Sequence, residues 1–480
     1  MQDLMLILPP LIVFLGATAL LLVDLKIADD RKETVAWIAM FLLVGALIAA
    51  VMLLYFNRTG DVLYGFSNMI LTDRYAALLD IVFALIGIGV FLLTLRYNRV
   101  HQIMRGEFFV LTLFSIGGMM LMAHAANLVT IFVALEMFSI PLYVLCGVAR
   151  PRLDSEESSL KYFLLGAFAS GFLVYGIALM YGATGTLDIA TMLKQVERGQ
   201  APLLLVIGAG LMLVGLGFKV AAVPFHMWTP DVYDGAPTTV TAFMTTATKA
   251  AGFAALVRVF LLGPGAFVGS LVSAIAILAA LTMIFGNLFA LAQRSVKRML
   301  AYSSIAHAGY LLAGIASVAN IGQSANAVIF YLATYAATSL AAFGVLSEIG
   351  SMNRDEDHGL ERYTGLAKRN PALAWVMALA LFSLMGMPLT AGFTGKYLLF
   401  QSAVSSGLNW LALLGVITSV ISAFYYLRVI VHMFMKEDAT VAANNEQYYV
   451  SKPSLVMMTL ASVAVVALGL LPTLLLNMFA

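Results

Sequence analysis

Four ionisable side chains stand where the surrounding sequence is almost wholly apolar: Glu136, Lys219, Lys249 and Lys396. A charge held at the centre of a bilayer costs about 2.5–3.5 kcal/mol on insertion scales, so such residues mark ion or proton pathways by default. Asp80 and Arg428 lie nearer the ends of their apolar runs, and snorkelling to the interface accounts for both. It does not account for the three lysines, which sit too deep. An ammonium in a low-dielectric medium sheds its proton more readily, and a nearby carboxylate opposes that loss. A row of these groups can therefore take up protons and pass them on. His307, deep in an uncharged run, reads equally well as a hydrogen-bonded packing group or as a member of that relay. His226 reads as structural.

Two of the lysines stand beside prolines, Lys219 five residues before Pro224 and Lys396 eight residues after Pro388. Proline removes a backbone donor and breaks the helical ladder. A broken span survives only where protein or water satisfies the freed groups, and transporters build ion sites from such breaks. Lysine precedes proline in the first case and follows it in the second. Two five-helix repeats would place the second copy upside down and produce this mirrored order. The segment Gly392-x-x-Gly395-Lys396 lacks the spacing and the Ser or Thr of a phosphate-binding loop.

The elements that must position these residues follow from composition. Of 480 residues, 62% are hydrophobic and 11% charged, against about 25% charged in soluble proteins. A spanning helix needs about 20 apolar residues. Apolar runs at 4–23, 34–57 and 75–95, the run 108–149 split at His124–Asn127, then 162–187, 199–230, 235–257 and 259–293 supply nine spans. The ninth begins with a loop at Gly263–Gly265. The run 299–347, split near 318–326, then 370–403, 409–435 and 453–478 supply five more, for about fourteen. Residues 350–369 and 436–452 are loops too short to fold alone. The fold class is thus an all-α polytopic membrane protein, with helices seven and twelve discontinuous. The start Met-Gln-Asp lacks a basic n-region, so the first span is expected to be retained. With the N-terminus outside, eighteen of the 27 Lys and Arg fall in inner loops and five (Arg58, Arg74, Lys194, Arg198, Arg258) in outer ones. The positive-inside rule then places both termini outside.

Composition also excludes. The net charge of +2 does not suit a nucleic-acid binder. One cysteine, Cys146, rules out an intrachain disulfide, a cysteine-ligated iron–sulfur cluster and a CxxC redox site. Six scattered histidines give no metal-binding spacing. The tripeptide Asn57-Arg-Thr59 matches a glycosylation sequon, a frequent chance occurrence.

The stretch from Phe218 to Phe253, FKVAAVPFHMWTPDVYDGAPTTVTAFMTTATKAAGF, resembles the antiporter-like subunits of respiratory complex I, which are related to subunits of Mrp-type sodium/proton antiporters. Its Trp228–Tyr233 and Gly235–Pro237 wording is similar to the subunit N branch, the counterpart of mitochondrial subunit 2. Supporting matches are Leu135-Glu136, Arg298–His307, Gly386–Phe393 and Ser422–Arg428. Lysine at 396 agrees with that branch and departs from subunit M, where glutamate is expected. The resemblance implies an N-terminal three-helix segment (1–107), a first repeat (108–262), an inverted second repeat (263–435) and a C-terminal helix (436–480). It implies that Glu136 pairs with Lys219, and that Lys249 passes protons towards Lys396 with His307 or water bridging.

The function implied is that of a proton-translocating membrane-arm subunit of NADH–quinone oxidoreductase, part of a translocase but carrying no redox centre, cofactor or metal. FMN, iron–sulfur clusters and a quinone would belong to the complex. The partners implied are its other membrane subunits and the lipid bilayer, with quinone nearby and no nucleic acid. The location implied is a bacterial cytoplasmic (inner) membrane, with both termini periplasmic. The alternatives are an Mrp-type antiporter subunit and the equivalent subunit of a ferredoxin-dependent complex. A solute carrier would need a midplane pocket with substrate-matched polar groups, and a purely structural anchor would merely pair its buried charges.

Overall fold

In the computed structural model, residues 2–57, 62–197, 203–262, 265–353, 356–436 and 449–478 are described. The Asn57–Thr59 sequon, most of the Gly263–Gly265 loop, and Arg58, Arg198 and Arg354 extend or lie outside them. Long apolar segments become helices because only a helix satisfies its own backbone in hydrocarbon. The principal helices are α1 (Leu8–Asp24), α2 (Glu33–Phe56), α3 (Arg74–Val100), α4 (Gly106–Ala123), α5 (Leu128–Cys146), α6 (Leu153–Thr184), α7 (Leu203–Val220) and α8 (Trp228–Gly235). They continue with α9 (Thr238–Leu261), α10 (Gly265–Leu291), α11 (Val296–Ala316), α12 (Ile321–Asn353), α13 (Pro371–Met385), α14 (Ala391–Ser405), α15 (Asn409–Phe434) and α16 (Lys452–Leu470). Among the described residues, twelve helices are long and apolar enough to cross a membrane, with α1 and α13 shorter apolar helices beside them.

The expected split at His124–Asn127 falls between α4 and α5, where Asn127 caps α5 by accepting from the Val129 amide. The split near 318–326 falls between α11 and α12. The sixth helix begins at Leu153, nine residues before the apolar run, because its first turns are polar and lie at the Lys/Arg-rich face. A short antiparallel hairpin, β1 (Leu63–Gly65) with β2 (Ile70–Thr72), was not expected from the sequence. Backbone bridges tie Ile70 to Ala125 and Asn127 to Asp188 at one face, and Ser295 to Gly359 at the other.

Both proline-marked breaks are present. After α7 the chain passes Ala221 in the left-handed region (φ 61°) and resumes as α8. The freed groups find protein partners: Trp228 Nε1 donates to Phe218 O (3.0 Å), and the Val223 amide donates to Thr282 Oγ1 (3.0 Å). Between α13 and α14, Gly386 (φ 88°) and Leu389 (φ 72°) turn the chain. At the centre lies α9, buried along its whole length and interrupted by two π-helical turns, Met244–Thr248 and Val257–Leu261. Such turns are frequent at functional sites.

Candidate functional site

The three lysines, all buried, occupy different kinds of seat. Lys219 ends α7, where its ammonium faces the rings of Tyr162 (5.0 Å to the ring centre), Tyr143 (5.1 Å), Phe218 (5.6 Å) and Phe138 (5.8 Å). Its one hydrogen bond among the described residues goes to the Tyr143 hydroxyl (3.2 Å). A desolvated cation over an aromatic face gains about 2 kcal/mol or more, comparable to the cost of placing a charge at that depth. Lys249, on α9, donates to the Ser304 carbonyl and lies 5.7 Å from the Tyr335 ring. Lys396, on α14, donates to Leu384 O (2.9 Å), Met385 O (3.0 Å) and Ser419 Oγ (2.7 Å). Two of those acceptors are the carbonyls left open at the end of α13. The cation thus closes the break in span twelve and complements the negative helix end.

Glu136, midway along α5, accepts from Ser170 on α6 and lines an open cavity of about 520 Å³ with Phe132, Gly171, Val174 and Tyr175. It makes no direct ion pair with Lys219 among the described residues. Tyr143, two turns further along α5, takes the hydrogen bond of the ammonium in its place.

His307 does not stand alone. Its Nδ1 meets the Tyr331 hydroxyl and its Nε2 lies 3.2 Å from the Tyr426 hydroxyl, which meets Ser303 in turn. Its ring centre is 5.1 Å from that of Tyr335 and 5.5 Å from that of Tyr310. Tyr335 is the ring beside Lys249, and Tyr310 is the ring 4.8 Å from the Lys396 ammonium. A row of side chains in ring contact, Lys249–Tyr335–His307–Tyr310–Lys396, thus lies between the two lysines across α9, α11, α12 and α14. Sequence reasoning named the lysines and the histidine and missed the tyrosines. The available signal was spacing: Tyr331 and Tyr335 are four apart and His307 and Tyr310 three apart, so each pair shares a helix face.

The helices that carry Lys219 and Lys249 pack closely against each other. A β-carbon on Gly252 of α9 would lie 2.7 Å from Val220 Cγ1 of α7, so glycine is what permits this approach.

The two residues set aside as snorkelling differ from each other. Arg428 donates to Leu291 O (3.1 Å) and Gln293 O (2.6 Å), capping the end of α10 near the Lys/Arg-rich face. Asp80 is fully buried and bonds His124 Nε2 (2.9 Å), so the snorkelling reading fails for it. The partner lies 44 residues away, invisible to local pattern. Pro224 and Met227 are exposed at the break in span seven and His226 is half-buried there.

Cys146 is buried with its thiol 3.4 Å from Met244 Sδ, and one thiol cannot supply the ligand set of an iron–sulfur cluster. Among the described residues no three His, Cys, Asp or Glu side chains converge on a metal-sized point.

The family described as "NADH:quinone oxidoreductase/Mrp antiporter, TM" matches residues 125–422. A relative from Trichlorobacter lovleyi, named NADH-quinone oxidoreductase subunit N, is 45% identical over 432 residues, covering 90% of this chain and 87% of its own. A relative of the same name from Chloroflexus aggregans is 43% identical over 477 residues, covering 98% and 95%. Among solved structures, a chain of respiratory complex I from Thermus thermophilus with bound aureothin superposes with a TM-score of 0.82 at 35% identity, covering 98% of this chain and 99% of that one.

Proposed function

Because the chain belongs to the NADH:quinone oxidoreductase/Mrp antiporter transmembrane family, we propose that it is the subunit N-type, proton-translocating membrane-arm subunit of an NADH–quinone oxidoreductase. The observation that carries this reading is the row Lys249–Tyr335–His307–Tyr310–Lys396, flanked by two helix breaks, with Lys219 held in its aromatic seat one helix away.

The chemistry follows from the seats. Lys219 has many ring faces and a single hydroxyl acceptor, so a small approach or retreat of the Glu136 carboxylate changes how well the ammonium is held. Lys396 is held by three oxygens, and it must leave at least one of them to release a proton. His307 sits between two tyrosine hydroxyls and can accept on one ring nitrogen while donating from the other. Moving one charge against 100 mV requires about 2.3 kcal/mol, which is the size of one or two such charge-assisted bonds.

Glu136, Lys219, Lys249, His307 and Lys396 are the proton-carrying residues in this reading, with Pro224 and Pro388 making the breaks. The segments 1–107, 108–262, 263–435 and 436–480 are the three-helix segment, the two inverted repeats and the C-terminal helix. The redox groups, FMN, iron–sulfur clusters and quinone, act on other subunits, and neighbouring membrane subunits are the partners. The relatives' names favour NADH as the electron source over ferredoxin, and a subunit of that complex over a free-standing antiporter. The Lys/Arg-rich face is cytoplasmic and both termini are periplasmic, in a bacterial inner membrane.

The test is Lys219→Ala in the intact complex in membrane vesicles, with NADH-driven quinone reduction and proton uptake recorded together. Loss of both activities in an assembled complex supports the reading. Wild-type rates of both would remove Lys219 from the path. Wild-type vesicles without NADH activity would turn the assignment towards the antiporter.

A further inference from the structure

A polar cavity of about 640 Å³ opens at the Lys/Arg-rich face between the N-terminal turns of α6 and α11, the end of α8 and the segment 356–358. Its lining includes Arg152, Asp231, Arg298, Glu356 and His358. At its floor His358 Nε2 lies 3.0 Å from Thr238 Oγ1, the first residue of α9, and its Nδ1 lies 3.4 Å from the Tyr363 hydroxyl. Glu356 holds this corner together. One oxygen accepts from the Thr238 amide (3.0 Å), and the other meets Lys297 Nζ (2.7 Å) and Arg152 (3.4 Å).

From Thr238 a series of threonine hydroxyls follows α9 towards Lys249. Thr238, Thr241 and Thr245 are spaced three and four residues apart, a spacing that shares a helix face; Thr241 Oγ1 donates to Tyr233 O (2.8 Å), and Thr248 ends the π-helical turn Met244–Thr248 beside Lys249. Thr245 Oγ1 lies 3.1 Å from the Tyr335 hydroxyl. Thr248 precedes Lys249, and Ser304 offers Lys249 its carbonyl. The Thr248 hydroxyl is buried without a hydrogen-bond partner among the described residues. Buried polar atoms of this kind are rare and ordinarily served by ordered water.

We infer that His358 collects protons from this cavity and delivers them to Lys249 by way of the hydroxyls of Thr238, Thr241, Thr245 and Thr248 on α9 and the water between them, with Glu356 as the residue that positions Thr238 for the transfer. The inference rests on the proton-translocating function proposed above. In each transfer His358 binds a proton on one ring nitrogen and releases the proton on Nε2 to Thr238. Every hydroxyl along the series takes one proton and gives one up, directly or through water. The neutral Lys249 amine ends as ammonium, and turning of the imidazole restores its starting form. Burial, and then the charges of Lys297 and Arg152, hold the His358 imidazole well below its ordinary pKa. The ring therefore passes protons rather than storing them.

The test uses Thr238→Val, Thr238→Ser and His358→Gln in the whole complex in vesicles, with turnover compared in H₂O and D₂O. Valine keeps the amide that Glu356 binds and removes only the hydroxyl. Thr238→Val and His358→Gln are expected to slow turnover by roughly tenfold or more, in the range of lost acid–base assistance, and to raise the solvent isotope effect. Thr238→Ser is expected to restore both to wild-type values. Wild-type turnover and isotope effect in assembled Thr238→Val, or a Thr238→Ser complex as slow as the valine form, would overturn the inference. Lys249→Ala serves as the reference. If it also turns over normally, the underlying function fails; if it alone is inactive, only the His358 route does.

Discussion

At the scale of single residues, Lys396 carries two duties that substitution can separate. It closes the break by bonding Leu384 O and Met385 O, and in the proposed path it must also release a proton. Arginine keeps the positive charge and the donors but does not deprotonate in proteins. Lys396→Arg is therefore expected to leave the complex assembled while slowing coupled turnover by at least roughly tenfold. Native gel electrophoresis and proton-uptake rates report the two duties, and a normal rate would leave Lys396 as a cap alone. Lys396→Met removes the bonds as well, at about 1.5–3 kcal/mol for each hydrogen bond to a charged group, and should also lower the melting temperature. His307 separates its two readings in a similar way. His307→Phe keeps a packed ring but removes the partner of the Tyr331 hydroxyl, while Tyr426 keeps its contact with Ser303. A relay histidine predicts an assembled, slow complex, whereas full-rate turnover would make it a packing group.

At the scale of elements, the break between α13 and α14 owes its shape to close backbone contact as much as to proline. A β-carbon at Gly392 would sit 1.9 Å from Ser383 O, a backbone atom of the other half-helix, while one at Gly171 on α6 meets nothing within 4 Å. Gly392→Ala cannot be absorbed by a side-chain rotation and should prevent the broken helix from closing. Its expected result is little assembled complex on a native gel, against normal levels for Gly171→Ala. Equal accumulation of the two would show that the break tolerates opening. The positions of both breaks were legible in the sequence, because proline beside a buried lysine is a local signal. So were Lys219, Lys249 and Lys396, since a charge in an apolar run announces itself. What joins them was not legible. Tyrosine is compatible with packing anywhere in these helices, so the shared-face spacing of His307 and Tyr310 could not by itself show that Tyr310 and Tyr335 flank His307. The distance between Glu136 and Lys219 was equally hidden, because it depends on how α5 and α7 pack rather than on either sequence. The hairpin at Leu63–Thr72 is too short to show a strand period, and its pairing is settled by contact with His124 and Ala125.

At the scale of the whole molecule, the question is what holds the first three helices to the body that contains the lysine row. Two buried polar ties do so at the face opposite the cavity. Arg258, at the end of α9, forms a double ion pair with Asp73 (2.6 and 2.7 Å) and also bonds Ala123 O. His124 bonds Asp80. Burial by itself would raise the Asp73 carboxyl, but the Arg258 guanidinium outweighs it and holds the group below the ordinary carboxylate range. A carboxyl depressed in the folded state contributes stability that is present above its unfolded pKa, about 3.9, and lost as pH falls through the lower folded value. The tie is thus complete at neutral pH and weakens only below about pH 4. Asp73→Asn can still cap α3 through its side-chain oxygen, so it removes the charge and little else. It strands a buried guanidinium, a change that costs about 3–5 kcal/mol when one member of a buried pair is lost. The expected outcome at pH 7 is a lower melting temperature in detergent and faster hydrogen exchange in the 62–73 segment and the outer end of α3, with exchange around Lys396 unchanged. The wild type should approach the same exchange pattern as pH is lowered below about 4. An Asp73→Asn protein that melts and exchanges like the wild type at pH 7 would show that apolar packing of α1–α4 joins the segment to the body without this tie.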